Sequence, residues 1–100
     1  ALLCSSDAIA AGALAAAAEA GLRVPEDLSV VGFDDSPLAR RLRPQLTTVR
    51  QDATAKGRAA AALLLEALAR KRSGAEPVIT HVVMPTELVV RGSTARPPGS

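Results

Sequence analysis

Leu28-Ser29-Val30-Val31-Gly32-Phe33-Asp34-Asp35-Ser36 reads as a strand that stops abruptly in three polar residues. Its first six positions are mostly apolar with little alternation, as in a parallel strand covered by helices on both faces. Upstream, Val24-Pro25-Glu26-Asp27 is a turn, with Pro25 holding its own φ and biasing Val24 to an extended conformation. Further back, residues 8–20 contain only helix-tolerant types and end at Gly21. Ser5-Ser6-Asp7 supplies short side chains that can accept hydrogen bonds from the free N–H groups of that helix start. Ala1-Leu2-Leu3-Cys4 reads as a buried strand. Residues 1–33 therefore spell strand, helix, strand, with a connection long enough for a right-handed βαβ crossover. Such a unit sets Ser5-Ser6-Asp7 and Asp34-Asp35-Ser36 side by side at one edge of the sheet, where open α/β sheets bind ligands.

Downstream, Pro37 to Pro44 is an irregular, Arg-rich connection, and Leu46-Thr47-Thr48-Val49-Arg50 is a short strand. Residues 53–72 form a second helix with Asp52 or Thr54 as its cap, an apolar set at Ala59, Ala60, Leu63, Leu64, Ala67 and Leu68, and Gly74 as its stop. Arg70, Lys71 and Arg72 suit its C-terminal end. Val78-Ile79-Thr80-His81-Val82-Val83 and Glu87-Leu88-Val89-Val90-Arg91 are strand-like, and the Gly/Pro/Ser-rich tail is expected to fray from Ser93, with 96–100 disordered. The fold class is α/β, a mostly parallel sheet flanked by helices. Strands from residues 1–50 and 78–92 are expected in one sheet, with the helix 53–72 packed elsewhere.

The chain has 100 residues, one domain's worth, and Ala supplies 21 of its hydrophobic residues while Phe33 is the single aromatic. Each Ala in place of a buried Leu or Phe removes roughly 1–2 kcal/mol of burial, so the core is thin. No apolar run approaches the length that crosses a bilayer, and no secretory signal pattern is present; a reducing, cytoplasmic setting is the default. Cys4 is the only cysteine and His81 the only histidine, which excludes an internal disulfide and a Cys/His zinc site. Charge is asymmetric: six acids face Arg23 alone over residues 1–39, and nine bases face Asp52 and Glu66 over 40–72. With no aromatic to interleave and no basic run longer than three, these cations read as solvated helix and loop surface rather than a nucleic-acid groove.

Asp34-Asp35 is the sharpest local feature. Two acids at a strand exit can accept hydrogen bonds from ligand hydroxyls or form a turn by bonding their own backbone. Adjacent side chains on an extended chain diverge, which disfavours a metal site. Ser5, Ser6 and His81 do not make a nucleophile and base, because the Gly-x-Ser-x-Gly elbow is missing, and no glycine loop for phosphate is assembled. Cys4 reads as a small core residue. No enzyme and no cofactor are indicated.

Ser5-Ser6-Asp7 with Ala11-Gly12-Ala13, then Gly21-Leu22-Arg23 running on through Val24-Pro25-Glu26-Asp27-Leu28-Ser29-Val30-Val31-Gly32-Phe33-Asp34-Asp35, form a long string of motifs. Leu46-Thr47-Thr48-Val49-Arg50-Gln51, the helix with Gly57 and Arg58, and Pro85-Thr86-Glu87-Leu88-Val89-Val90-Arg91-Gly92-Ser93-Thr94 follow in order. Together they resemble the effector-binding region of the LacI/GalR family of bacterial transcription regulators, over residues 1 to about 95.

The resemblance implies a periplasmic-binding-protein-like (type I), two-lobed fold holding a small molecule, a sugar or related metabolite, between its lobes. It implies that residues 1–95 are the C-terminal portion of the effector domain, the first lobe and the DNA-binding helix-turn-helix lying before Ala1 in the family. Asp34 then matches the acid that accepts effector hydroxyls, and Gln51 a polar residue near the hinge that reaches the ligand. Ser6 stands where the family usually has Asn, keeping a donor and an acceptor but not the amide's reach, and Asp7 matches the cap of the following helix. The helix 8–20 and the connection through Leu38, Arg40, Arg41, Leu42 and Arg43 match regions through which family members dimerise. The expected function is effector sensing and dimerisation in a LacI-type repressor, with operator DNA contacted only through an N-terminal domain absent from this chain and no membrane partner. The other reading is a fragment of a periplasmic solute-binding protein for a sugar transporter. The stripe Ala59, Leu63, Leu64 and Leu68 is expected to lie exposed and to drive a homodimer or a segment-exchanged oligomer.

Overall fold

The structure, a computed structural model, describes residues 1–99. Two compact units divide it: Ala1–Gln51 with the C-terminal segment from Thr86 onward, and Asp52–Pro85.

The first unit holds β1 (Leu2–Leu3), α1 (Asp7–Glu19), β2 (Val30–Val31), α2 (Pro37–Arg41), β3 (Thr48–Arg50) and β4 (Glu87–Val89). β1 and β2 are parallel in the register Leu2↔Val30 and Leu3↔Val31, the expected βαβ arrangement. Beyond β2 the chain continues parallel to β3, through bridges Val31↔Thr47 and Asp34↔Arg50. The Gly32 and Asp34 N–H groups donate to the Thr47 and Val49 carbonyls, both at 2.9 Å. β4 runs antiparallel to β3, with Thr48↔Val89, Val49↔Leu88 and Arg50↔Glu87 paired, so in place of the one mostly parallel sheet expected, the regular pairings make two two-stranded sheets, β1–β2 and β3–β4, joined by those bridges.

Buried Ala10, Val30, Ala39 and Leu46 form the core, and Cys4, Ala13, Leu14, Val24, Leu28 and Leu42 pack on it. Only Val30 and Leu46 bring large apolar side chains to the buried set, as the alanine-rich composition implies. Burial departs from expectation in β1, a two-residue strand paired with β2 alone, where Leu2 and Leu3 are exposed. α1 likewise buries only Asp7, Ala10 and Ala17. α2 was expected to be irregular; Pro37 at the first helical position, with its φ preset for a helix, starts this short turn instead.

The tail is also more ordered than its composition implies. Ser93 is fully buried, and its hydroxyl donates to the Val30 carbonyl (2.6 Å) while accepting from the Thr47 N–H (2.8 Å). The Val30 N–H in turn donates to the Ser93 carbonyl at 2.9 Å. One side chain thus ties β2 to the segment entering β3. Ser93→Ala should lower stability by about 2 kcal/mol, since it orphans a buried N–H and a buried carbonyl. Urea denaturation followed by far-UV circular dichroism checks this, and an unchanged midpoint would contradict it. Residues 96–99 lie outside any helix or strand, and the last residue of the expected disordered tail, Ser100, lies outside the described residues.

The second unit contains α3 (Ala53–Ser73), capped by Asp52, whose carboxylate accepts from the Ala55 N–H at 2.9 Å, and ended by Gly74 in the left-handed region. No residue of α3 is buried; of the expected stripe Leu64 and Leu68 are exposed while Ala59 and Leu63 are half-buried, and Leu65, outside that stripe, is exposed as well. Residues 78–83 do not form the expected strand. A strand needs a neighbour for its N–H and C=O groups, and this unit offers one helix and no strand. No described helix is long and apolar enough to cross a membrane.

Candidate ligand site

Asp34 leaves β2 with φ 119° and Asp35 follows with φ 54°, both in the left-handed half of backbone space that side chains avoid. Two such residues in succession persist only where surrounding contacts over-determine them. Here the Asp34 N–H is held by the Val49 carbonyl, the Asp35 N–H donates to Thr48 Oγ1 (3.3 Å), and the Ser36 N–H donates to Asp7 Oδ2 (2.7 Å). The twist sends the two adjacent carboxylates to different partners.

Asp34 is half-buried, and Gln51 Nε2 donates to its Oδ1 at 2.6 Å. The structure therefore brings together two of the three expected ligand residues, 17 positions apart, at the C-terminal ends of β2 and β3. Ser6 is placed differently: its hydroxyl accepts from the Ile9 N–H at 3.1 Å as the cap of α1. The expected cap, Asp7, is corrected by this geometry. Asp7 opens the first turn instead, and its carboxylate is buried, accepting from the Ser36 hydroxyl (2.9 Å) as well as its N–H, and from the Thr48 hydroxyl (2.6 Å). The cap falls to Ser6 because its backbone is extended and its short hydroxyl reaches the third residue on. Asp7 thereby locks the start of α1 to the loop after Asp35, and its N–H donates to the Phe33 carbonyl at 3.0 Å.

Asp35 was not singled out from its neighbour by the sequence, yet it is the better-anchored acid. Its side chain is 4% exposed and meets Arg50 Nε at 2.7 Å and Arg91 Nη2 at 2.8 Å. Burial pushes the carboxyl up, but the hydrogen bond from Arg50 and the close ion pair with Arg91 outweigh it and hold Asp35 below the usual carboxylate range. Because the folded value is the lower one, these pairs stabilise the fold at neutral pH, and that contribution fades as acid titrates Asp35 below the ordinary carboxylate range. Arg50 also reaches Glu87 Oε2 across the β3–β4 pair at 3.5 Å. The available signal was the neighbouring cation: Arg50 adjoins Gln51 in the chain, so once Asp34 meets Gln51 the acid beside Asp34 is within reach of Arg50.

The expected interface residues divide. Arg40 and Arg41 are exposed, Leu38 is half-buried, and Arg43 folds its guanidinium back onto the Arg40 and Leu42 carbonyls, both at 2.8 Å. Leu42, another of the expected interface residues, packs on the core of its own unit. Among the described residues no group of three or more His, Cys, Asp or Glu is placed to hold a metal ion.

The arrangement at Asp34 and Gln51 offers a carboxylate and an amide to neutral polar groups such as hydroxyls. Residues 1–94 match the model of the periplasmic binding protein-like domain. The chain is 52% identical over 99 residues to the HTH-type transcriptional regulator MalR of Streptomyces coelicolor, covering 99% of this chain and 28% of that protein. A LacI family transcriptional regulator from Arthrobacter sp. FB24, solved in complex with lactose, superimposes with a TM-score of 0.74 at 39% identity, over 93% of this chain and 34% of that one. The dimeric Lac repressor does so with a TM-score of 0.75 at 36% identity, over 95% and 33%. The chain thus spans less than a third of the curated relative's length.

Proposed function

Since the chain belongs to the periplasmic binding protein-like family, in the branch of LacI-type transcription regulators, we propose that it is an effector-sensing and dimerisation segment that binds a sugar through Asp34 and Gln51. The observation that carries this reading is the 2.6 Å contact between the two side chains at the strand ends. A carboxylate accepts two or more hydroxyl donors, and an amide presents one acceptor and two donors, so the pair fits neighbouring hydroxyls of a sugar ring. Ser6 adds a hydroxyl that can still donate while it caps α1. The relatives that the chain resembles are transcription regulators, which supports a sensor acting in the cytoplasm rather than an enzyme. The solute-binding alternative has no observation of its own in its favour.

Effector binding would act by favouring one arrangement of the regulator over another, and so change how a dimer presents DNA-binding domains carried outside these residues. Calorimetric titration of the regulator carrying this chain with glucose, galactose, ribose, maltose, cellobiose and lactose tests the site. One of the panel should bind and shift operator retention in a gel assay. No heat from any of them at millimolar concentration would overturn the sugar reading.

Dimerisation needs a surface that is free in one copy. Ile9 is 56% exposed on α1 and contributes nothing to the core, unlike Leu42. Ile9→Arg should therefore shift the regulator from dimer toward monomer with the melting temperature of the monomeric fold unchanged. Sedimentation equilibrium at micromolar concentration checks this, and an undisturbed dimer would move the contact away from this face of α1.

A further inference from the structure

We propose that Asp35 is the positioning residue of the ligand site, fixing the aim of both Asp34 and Gln51 through its ion pairs with Arg50 and Arg91; this rests on the ligand-site reading given above. Asp34 and Asp35 are consecutive, as are Arg50 and Gln51, and the two pairs are linked crosswise: the first acid to the second partner, Asp34 to Gln51 at 2.6 Å, and the second acid to the first, Asp35 to Arg50 at 2.7 Å. A shift of one link is therefore a shift of the other. Asp35 is the inward member, 4% exposed, and its second partner Arg91 is itself only 10% exposed. Arg91 is fixed in turn, its Nη1 donating to the Leu46 carbonyl at 3.0 Å and its N–H to Thr47 Oγ1 at 2.9 Å. Three chain segments converge on this one carboxylate.

The backbone makes the anchoring necessary. Asp34 at φ 119° and Asp35 at φ 54° occupy regions that are unfavourable for L-residues, and the backbone bonds to Val49, Thr48 and Asp7 are reinforced there by side-chain contacts. The Asp34 side chain cannot supply that hold if a ligand is to share its oxygens. Asp35 can, because its carboxylate faces the protein, takes a charge-assisted hydrogen bond from Arg50 and lies 2.8 Å from the Arg91 guanidinium. The strand ends that carry Asp34 and Gln51 are then set before a ligand arrives, and the ligand's binding free energy is not spent on ordering them.

A double-mutant cycle on affinity separates positioning from a merely structural role. In the regulator carrying this chain, titrated with whichever sugar of the panel binds, Asp35→Asn should weaken affinity about tenfold. In an Asp34→Gly background, where only Gln51 is left to aim, Asp35→Asn should cost clearly less, about threefold, while lowering the melting temperature by the same amount in both backgrounds. Equal affinity losses in the two backgrounds, or no loss with Asp34 intact, would overturn the proposal. If Asp35→Asn does not fold, Arg50→Gln serves, because Arg50 is half-exposed and its loss leaves the Arg91 pair in place; the same pattern, smaller in size, is expected. If Asp34→Gly alone leaves affinity unchanged, the ligand-site reading itself fails, an outcome distinct from failure at Asp35.

Discussion

Gly32→Val should remove about 3 kcal/mol or more from the stability of the unit built on β1, β2, β3 and β4, enough to abolish its cooperative unfolding transition. A Cβ at Gly32 would stand 2.5 Å from Asp7 Oδ1, 2.7 Å from Leu46 Cδ2 and 3.3 Å from Asp7 Cα. None of these neighbours can step aside cheaply. Leu46 is fully buried in the core, and Asp7 is held by the Ser36 N–H and hydroxyl and by Thr48, so moving it unmakes charge-assisted hydrogen bonds in a site closed to water. Gly32 is needed for close approach and not for its backbone freedom: it is where the helix carrying Asp7 presses on the sheet. Gly12→Ala is the control, since nothing lies within 4 Å of its Cβ, and it should stabilise α1 by about 0.5–1 kcal/mol in far-UV circular dichroism melts. A Gly32→Val protein with the parent's denaturation midpoint would mean that the Asp7 junction is looser than these distances indicate.

That junction marks the limit of what the sequence discloses. The βαβ unit, α3 with Asp52 and Gly74 at its ends, and the meeting of Asp34 with Gln51 follow from local rules or from the family-like spacing of motifs, each of which is carried by residues close in the chain or fixed in order. Asp7 escapes such rules. An acid beside a helix start looks like a cap, and only the arrival of Ser36 and Thr48, 29 and 41 residues away, turns it inward. Ser93 escapes for the same reason: its Gly/Ser/Pro-rich surroundings look like a frayed end, yet its hydroxyl substitutes for a ladder hydrogen bond between segments 46 and 63 residues distant. Residues 78–83 illustrate the converse. Their β-branched run is locally as strand-like as β2, but strand formation depends on a partner strand, and propensity alone supplies no hydrogen-bond acceptor. Asp35 is intermediate: Arg50 beside Gln51 hints at a partner for it, but the positive-φ backbone that parts the two acids is not written in the local sequence.

Asp34→Gly should weaken sugar binding by roughly a hundredfold, and Asp34→Asn by about tenfold. Each hydroxyl donating to a partly buried carboxylate contributes roughly 1.5–3 kcal/mol, so losing two of them corresponds to at least the larger factor. Asn keeps one oxygen acceptor and the preference for positive φ but loses the charge, which places it between the parent and the full deletion. Gly is the better deletion than Ala at this position. At φ 119° an Ala would carry backbone strain that Gly escapes, and its affinity loss would mix a displaced backbone with a missing carboxylate. Gln51→Ala completes the series: it removes the amide that meets Asp34 Oδ1 and any amide contact to the ligand, and should cost less than Asp34→Gly because neutral hydrogen bonds are the weaker ones. Isothermal titration of the four proteins with the sugar that binds the parent reads the whole order, Asp34→Gly weakest, then Asp34→Asn. An Asp34→Gly protein with parental affinity would remove this carboxylate from the site, and Asn binding as weakly as Gly would mean that the charge, rather than the acceptor geometry, is what the sugar recognises.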